Sequence, residues 1–314
     1  MISDRRHIRS LLDDLTTAWA CGEWGALCPD FAPEARLISA QHGARSGAGE
    51  IVDALRQDRF AHRVSNHYIG VQGDDAAASL YLFGLMEEGG APLFLFGMTL
   101  ILRLRRSPAG WQITELRMEA MWSKGSPRLV PHWLHVPGDR GWQPGDPSPV
   151  IVSELHAPWH ILPDAPVPEA LEDALPELYA RYAFALDQND IGLLVSAYAE
   201  DIAGGFAPLG NFEGRDTVIG QLKSFRHLAP FWQHFAEVVA IEDEGDGQHA
   251  RMIVGRIIPE RPVDRSGAPL YGAHYQLRLR RDDRRWRICW SDYRPGWFTS
   301  DVPPFDIGHA TGHM

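Results

Sequence analysis

The sequence predicts an α+β fold that the chain builds twice. In each half, apolar residues at helical spacing come first and strand-like runs separated by turns follow, which is the α+β pattern. The two halves also share residues in a constant register, as an internal repeat does. With 314 residues, the chain is long enough for two domains of ordinary size.

The first half opens with an amphipathic helix that ends at Gly22. A short helix over 24–31, a strand over 36–40 and a third helix over 48–60 are predicted next. The strands that follow are bounded by turn residues such as Gly73-Asp74 and are predicted at 64–71, 76–86, 93–105 and 111–122.

The second half repeats this order. Helices are predicted at 175–186, 191–198 and 218–225, and strands at 232–241, 250–258, 270–281 and 286–297. Asp190 precedes the second of these helices, and we expect its side chain to cap that helix.

Two shifts of the numbering align the halves. A shift of 167 positions pairs Ala18 with Ala185, Gly47 with Gly214 and His67 with His234, and a later shift of 175 pairs Gly97 with Gly272, Trp111 with Trp286 and Trp122 with Trp297. The identities are sparse, but they fall in one register within each stretch. We interpret the halves as two copies of one domain.

The composition is that of a globular protein, with 45% hydrophobic and 23% charged residues. The formal net charge of -11 disfavours nucleic acid or an anionic membrane as a partner. No stretch approaches the roughly 18 apolar residues that span a bilayer, and no apolar signal core follows Met1. Cys21, Cys28 and Cys289 show neither a disulfide framework nor metal spacing, so we expect a cytoplasmic protein.

A proline-rich linker over 125–170 separates the copies. It is too long for a simple connection and too rich in Trp and His for a flexible tether, so we expect it to lie against the domains. His132-x-x-His135 and His156-x-x-x-His160 could in principle hold a metal. Because neither pair lies in a helical pattern, we expect packed or surface histidines there and no metal.

Three short motifs of the second half carry a family resemblance. They are Ala185 to Asp190, where the first helix meets the second, Gln233-His234-Phe235, and a last strand with Trp286 and Trp297 at its ends. With the order of helices and strands, they resemble the nuclear-transport-factor-2-like superfamily, and within it the branch of scytalone dehydratase and the SnoaL-like proteins. The resemblance covers both halves but not the linker.

The resemblance implies that each copy is a cone, in which a curved antiparallel sheet packs on three helices around an apolar pocket. It implies catalytic roles for Asp187 and His234. It also implies a second catalytic histidine, for which His274 is the candidate, although its spacing to Trp286 is two residues short of the family pattern. Phe206 stands near the position of a family tyrosine.

The first copy departs further from the family pattern. Ala20 matches Asp187 and Thr99 matches His274, so only His67 remains as a counterpart of His234. We therefore expect a first cone domain with a degenerate site at 1–124, a linker at 125–170, a second cone domain with the active site at 171–306 and a tail at 307–314.

An aspartate–histidine pair suits acid–base chemistry without a cofactor. Removing water from a β-hydroxy carbonyl compound needs a base for the α-proton and an acid for the hydroxyl group, and histidine can be either near neutral pH. We expect a dehydratase-type lyase acting on a small, apolar, aromatic or polycyclic hydroxy compound of secondary or aromatic metabolism. Carbon–carbon lysis, isomerisation or cyclisation would use the same pair. The alternative from another class is a non-catalytic protein that binds a small molecule or serves in assembly.

Five aromatic residues of the second copy are predicted to bind the substrate, namely Trp232, Phe206, Tyr182, Tyr293 and Trp290. Core packing is the alternative for each of them, and also for His234, whose predicted strand face is apolar. Beyond a small-molecule substrate, we expect the two copies to form an internal pseudo-dimer and leave further homo-oligomers open.

Overall fold

The fold is described from a computed structural model that covers residues 3–27, 30–88, 91–137, 152–228, 233–283 and 285–306. The chain divides into two compact units, Met1–Pro166 (the first unit) and Val167–Met314 (the second unit). The described parts of the predicted linker up to Pro166 thus belong to the first unit. Within the described residues, no helix is long and apolar enough to cross a membrane.

In the described part of the first unit, helices pack on a six-stranded sheet. The helices are α1 (Asp4–Cys21), α2 (Trp24–Leu27), α3 (Ala48–Leu55) and, after the sheet, α4 (Pro158–Ile161). The strands are β1 (Phe31–Ser39), β2 (Gly43–Ser46), β3 (Ala61–Gln72), β4 (Asp75–Glu88), β5 (Ala91–Ser107) and β6 (Gly110–Gly125). Their order in the sheet is β2-β1-β6-β5-β4-β3.

Helix α1 has the ends and the buried stripe that its sequence predicts. The hydroxyl of Ser3 caps its start, and Gly22 closes it with a φ of 74°, in the left-handed region that glycine adopts without a steric penalty. Ile8, Leu12 and Leu15 are fully or almost fully buried along one stripe. The stripe fixes which face of α1 lies on the sheet.

The second unit repeats the arrangement. Its described helices are α5 (Leu171–Gln188), α6 (Ile191–Ala197) and α7 (Arg215–Leu228). Its strands are β7 (Tyr198–Gly205), β8 (Asn211–Glu213), β9 (Ala236–Asp243), β10 (His249–Ile257), β11 (Tyr271–Asp282) and β12 (Arg285–Phe298). The sheet order β8-β7-β12-β11-β10-β9 is the same as in the first unit, which confirms the repeat and the α+β class.

Each sheet is antiparallel except for one pair. β1 runs parallel to β6, and β7 runs parallel to β12. In both units these two strands are the first and the last long strands of the sheet. All the other elements of the sheet lie between them in the chain, so no hairpin turn forces them to be antiparallel. The sheets are thus antiparallel as predicted apart from this one pair in each, and β7 and β8 were absent from the strands predicted for the second half.

The predicted strand over 232–241 is wrong at its start, because β9 begins at Ala236. The N–H of Phe235 donates to the carbonyl of Gln233 at 3.0 Å, which is a tight turn and not a strand. The N–H of His234 donates to the carboxylate of Asp187 at 2.8 Å instead of to a neighbouring strand. His234 therefore precedes the sheet, and its position is set by the end of α5.

Asp190 caps α6 as predicted, since its Oδ1 accepts the N–H of Leu193 at 2.9 Å. We expect Asp190→Ala to lower the free energy of unfolding of the second unit by about 1 kcal/mol, because that N–H loses its partner. Amide hydrogen exchange in the core strands β10 and β11 of the second unit measures the change. Asp301→Ala, which removes an exposed carboxylate from outside any helix, is the control, and equal losses for both variants would contradict the assignment.

Candidate active site

Asp187 and His234 form a hydrogen-bonded pair in the second unit. The Asp187 side chain is 1% exposed, and its Oδ1 lies 2.5 Å from Nδ1 of His234. Its Oδ2 accepts the backbone N–H of His234 at 2.8 Å. One carboxylate thus holds both the backbone and the ring of the histidine.

This pairing assigns the tautomer of His234. An ionised carboxylate only accepts hydrogen bonds, so Nδ1 must carry a proton toward Asp187. A neutral imidazole held in this way has its lone pair on Nε2, and proton exchange with a ligand has to use that nitrogen. The pair has the parts of a general acid–base catalyst.

The end of α5 places Asp187 for this contact. Asn189 adopts a left-handed conformation with a φ of 57°, and the cap N–H groups donate to the carbonyls of Ala185 and Leu186. The helix therefore stops just after Asp187, which stays in the last turn with its side chain toward the buried side. The sequence indicates this end, because asparagine is the residue other than glycine that most readily takes this conformation.

A cavity of about 140 Å³ adjoins the pair. His234 lines it together with three of the predicted wall residues, Tyr182, Phe206 and Tyr293. The rest of its lining comes from α5, the loop after β7, helix α7 and the sheet: Leu186, Ala207, Pro208, Leu209, Leu222, Phe225, Arg256 and Tyr275. The volume is close to that of a cavity that accommodates benzene, roughly 150 Å³.

Arg256 is a polar residue of this cavity that the sequence analysis missed. It lies on β10, is only 7% exposed, and donates from Nη1 to the carbonyl of Phe235 at 3.2 Å. Burial acts to lower the pKa of Arg256, but Tyr179, Tyr275, Tyr293 and Asp187 outweigh it and raise the pKa. The cavity therefore contains a permanent cation. The sequence does contain a signal for this residue, because an arginine within the otherwise apolar run Met252–Ile257 indicates a buried charge with a specific role.

Three tyrosines, Tyr182, Tyr275 and Tyr293, line the cavity together with Arg256. The rings of Tyr275 and Tyr293 lie 4.8 Å apart, and those of Tyr182 and Tyr198 lie 5.7 Å apart. Burial raises the pKa of Tyr275 to about 12 and also raises the pKa of Tyr182 and Tyr198. At neutral pH Tyr182 and Tyr275, which line the cavity, keep their protons, so they can donate hydrogen bonds to a ligand oxygen but cannot act as bases.

His274 does not join the pair in this cavity. It neighbours Tyr275 on β11, and side chains alternate between the two faces of a strand. Since Tyr275 lines the cavity, His274 lies on the opposite face of the sheet, where its ring meets that of Phe298 at 5.6 Å. Burial, aided by the charge of Arg294, lowers the pKa of His274. The expectation that His274 shares this pocket is corrected.

The two remaining predicted walls are not part of the described lining. Trp290 is partly exposed on β12 next to the buried Ser291 and does not line the cavity. Trp232 lies outside the described residues.

In the first unit, the equivalent positions are filled with apolar side chains. The register of the repeat matches Tyr182, Tyr275 and Tyr293 with Leu15, Leu100 and Met118, which are at most 1% exposed. His67 is buried, and its Nε2 lies 3.2 Å from Oδ1 of Asp13 on α1. The counterpart of His234 thus also has a carboxylate neighbour. This carboxylate belongs to Asp13, which lies two helical turns before Ala20, the residue that matches Asp187 in the repeat.

Trp133, from the predicted linker, fills more of the first unit's interior. Its ring packs edge-on against Phe96 at 5.1 Å and Phe94 at 5.7 Å. It is 6% exposed and belongs to the core cluster of this unit. The segment after β6 is therefore part of the domain that precedes it.

Comparison with known proteins identifies the class. The SnoaL-like domain matches residues 1–117 and 170–291. Together these two segments make up more than half of the chain. The chain therefore belongs to the SnoaL-like family, with one SnoaL-like domain in each unit. No curated protein matches the chain.

Solved structures that resemble the chain each correspond to about one unit. A candidate aromatic ring hydroxylase from Novosphingobium aromaticivorans is 18% identical, with a TM-score of 0.35, over 40% of this chain and 96% of its own. A ketosteroid isomerase-like protein from Erwinia carotovora atroseptica is 15% identical, with a TM-score of 0.32, over 36% and 93%. A candidate dehydratase of the NTF2-like family from Streptomyces avermitilis is 13% identical, with a TM-score of 0.34, over 38% and 96%.

Proposed function

We propose that the second unit is a cofactor-independent acid–base enzyme, and that it eliminates water from a small β-hydroxy carbonyl compound. The observation that carries the proposal is the buried carboxylate of Asp187 holding His234 at the wall of a tyrosine-lined cavity with a cation. An imidazole held in one tautomer by a carboxylate is a competent base near neutral pH.

In the proposed reaction, Nε2 of His234 takes the α-proton, and the electron pair of that C–H bond forms an enolate. The guanidinium of Arg256 and the neutral phenols stabilise the negative charge that develops on the carbonyl oxygen. The enolate then expels the β-hydroxyl group, which takes the proton from His234 and leaves as water. The net change is loss of one water molecule, and His234 returns to its neutral form.

The charges of the cavity favour this sequence. Asp187 and Arg256 bring one negative and one positive charge, so the cavity has no net charge while His234 is neutral. When His234 holds the substrate proton, Asp187 faces the new imidazolium and Arg256 is available to the enolate. Each new charge therefore meets an opposite one at a buried site, where such interactions are stronger than in water.

The cavity volume narrows the substrate class. About 140 Å³ suits a single ring with short substituents, and the apolar wall of Leu186, Leu209 and Leu222 suits a hydrocarbon face. We therefore propose a one-ring hydroxy ketone as the substrate in place of the broader aromatic or polycyclic class.

A screen of one-ring β-hydroxy ketones tests this function. Conjugation of the new double bond to the carbonyl group shifts the ultraviolet absorbance, so turnover can be followed without added cofactor. We expect one or more of these compounds to yield the unsaturated ketone. Binding of these compounds by calorimetry without turnover or α-proton exchange would instead favour a non-catalytic binding protein.

Arg256→Gln is expected to lower kcat/KM by roughly 10²–10³-fold, as the loss of an oxyanion-stabilising donor does. Glutamine keeps a donor for the carbonyl of Phe235 but removes the charge that balances the enolate. Steady-state kinetics on the compound found in the screen measures the effect. Arg251→Gln is the matched control, because Arg251 on the same strand pairs with Glu242 and does not line the cavity. Similar losses in both variants would remove Arg256 from the proposed reaction.

A further inference from the structure

A second buried carboxylate, Asp58, lies in the first unit and is saturated with donors. Its side chain is 0% exposed. Oδ2 accepts from Nε1 of Trp19 at 3.0 Å and faces Nε2 of His42 at 2.9 Å. Oδ1 accepts from Nε1 of Trp133 at 3.1 Å and faces Nε2 of His132 at 2.7 Å.

Four N–H donors keep this carboxylate ionised. Burial alone acts to raise the pKa of Asp58, but the hydrogen bonds from His132, His42 and Trp133 outweigh burial and lower the pKa. Both imidazoles must present N–H groups to it, because an ionised carboxylate only accepts. His42 and His132 therefore share one anion, but their other ring nitrogens have different surroundings.

The His42 ring is buried, and both of its nitrogens have hydrogen-bond partners. Its side chain is 2% exposed, and its Nδ1 lies 3.0 Å from the hydroxyl of Ser39. That hydroxyl oxygen already accepts the N–H groups of Gln41 and His42, each at 3.1 Å. Its two lone pairs are used, so its proton must point to Nδ1 of His42. His42 is thus a neutral imidazole with both nitrogens bonded, and it serves to position Asp58.

His132 is open. Its side chain is 14% exposed, and Nδ1 has no hydrogen-bond partner in the described part of the chain. His132 lines a groove of about 500 Å³. With Nε2 committed to Asp58, the lone pair of its neutral form lies on Nδ1. This is the arrangement of Asp187 and His234 with the two ring nitrogens exchanged.

The same atoms could be considered as metal ligands, since the ligand atoms of His42, Asp58 and His132 lie within 4.8 Å of one another. Ligation would need the lone pair on Nε2 of His42, which moves the ring proton to Nδ1. That proton would then face a Ser39 oxygen that already accepts two N–H groups, and the Ser39 proton would lose its acceptor. The donor set therefore fits a hydrogen-bonded pair better than a metal.

The groove indicates the kind of molecule that would reach His132. Polar side chains outnumber apolar ones in its lining, which consists of His42, Ala44, Arg45, Glu50, Asp53, Ala54, Gln57, His132 and Leu134. One arginine and two acidic residues give it a net charge of one negative, which disfavours anions. A neutral molecule rich in hydroxyl groups can hydrogen-bond to such a surface.

We propose that Asp58 and His132 form a second acid–base site, which takes a small neutral carbonyl compound carrying hydroxyl groups. Nδ1 of His132 removes a proton from the carbon next to the carbonyl group, and the electron pair of that bond forms the enolate. Asp58 stabilises the imidazolium. Return of a proton from the imidazolium, after exchange with solvent, regenerates the ketone and the neutral histidine. This site is independent of the function proposed for the second unit.

The test uses dihydroxyacetone in D₂O as the probe, with proton NMR following the loss of its α-proton signal. The full chain is used with His234→Gln to silence the other pair. We expect exchange above the buffer rate in this variant. Adding His132→Gln should reduce that exchange by roughly 10²-fold or more, as the loss of a positioned base does. Glutamine can still donate an N–H to Asp58, so the segment stays in place.

His135→Gln in the same background is the matched control, because His135 belongs to the same segment but does not line the groove. Its exchange rate should equal that of His234→Gln alone. Exchange no faster than buffer with His234→Gln, or an unchanged rate after His132→Gln, would overturn the proposal. So would calorimetric binding of one Zn²⁺ per chain that His132→Gln abolishes, since it would make this a metal site.

Discussion

His234→Gln is expected to lower kcat/KM for the second unit's substrate by roughly 10²–10⁴-fold, because the variant removes the positioned base. Glutamine can still donate from its side-chain amide to Asp187, and the backbone N–H of residue 234 keeps its bond to Oδ2 of Asp187. The fold should therefore survive while proton transfer fails. Stopped-time assays at saturating and low substrate measure kcat and KM separately, and the loss should be in kcat.

Two further variants make this prediction sharper. Asp187→Asn should lose activity to a similar degree, and the double variant should lose little more than either single one, because residues that act as a unit are not additive. His67→Gln is the internal control in the first unit and should leave kcat/KM unchanged. If His67→Gln abolished turnover and His234→Gln did not, the chemistry would belong to the first unit.

The sequence predicted the repeat and the element order well because both depend on local patterns. The apolar stripe of α1, the stop at Gly22 and the cap at Asp190 are set by neighbours within a few residues. The start of β9 was placed too early for a related reason. The run Trp232–Val238 has β-type residues, but a contact with Asp187 across 47 positions takes the N–H of His234 away from the sheet.

The parts of the sites that the sequence did not predict depend on distant contacts. Arg256 resembles an ordinary strand residue until the sheet places it beside the carbonyl of Phe235. Asp58 has no motif at all, because its partners Trp19, His42 and Trp133 lie up to 75 positions away. His132 was noted only for its spacing to His135, whereas its partner in the structure is Asp58. Pairings of this kind have no periodic signal.

Asp58→Asn is expected to have the largest effect on stability, lowering the free energy of unfolding of the first unit by about 2–5 kcal/mol, because each buried donor left without an acceptor costs about 1–3 kcal/mol. Asparagine removes the charge and can accept at one oxygen only, so donors among Trp19, His42, His132 and Trp133 lose their partner in the core. Because unfolding of a two-unit chain need not be two-state, amide hydrogen exchange is the appropriate measurement. Amides of β4 and β5 should lose protection, and those of β10 and β11 serve as the internal reference.

The pH dependence gives the same prediction a second readout. The pKa of Asp58 is lowered from 3.8 in the folded chain, so its contribution to stability is present above the ordinary carboxyl range. That contribution is lost as the pH falls from about 4 toward the lowered pKa, because the unfolded chain binds the proton first. The wild-type first unit should therefore lose protection in this acid range more steeply than Asp58→Asn. Asp13→Asn, at a carboxylate that is 44% exposed beside His67, is the matched control. An equal loss of protection in Asp13→Asn and Asp58→Asn would show that Asp58 does not hold the segment around Trp133 in the first unit.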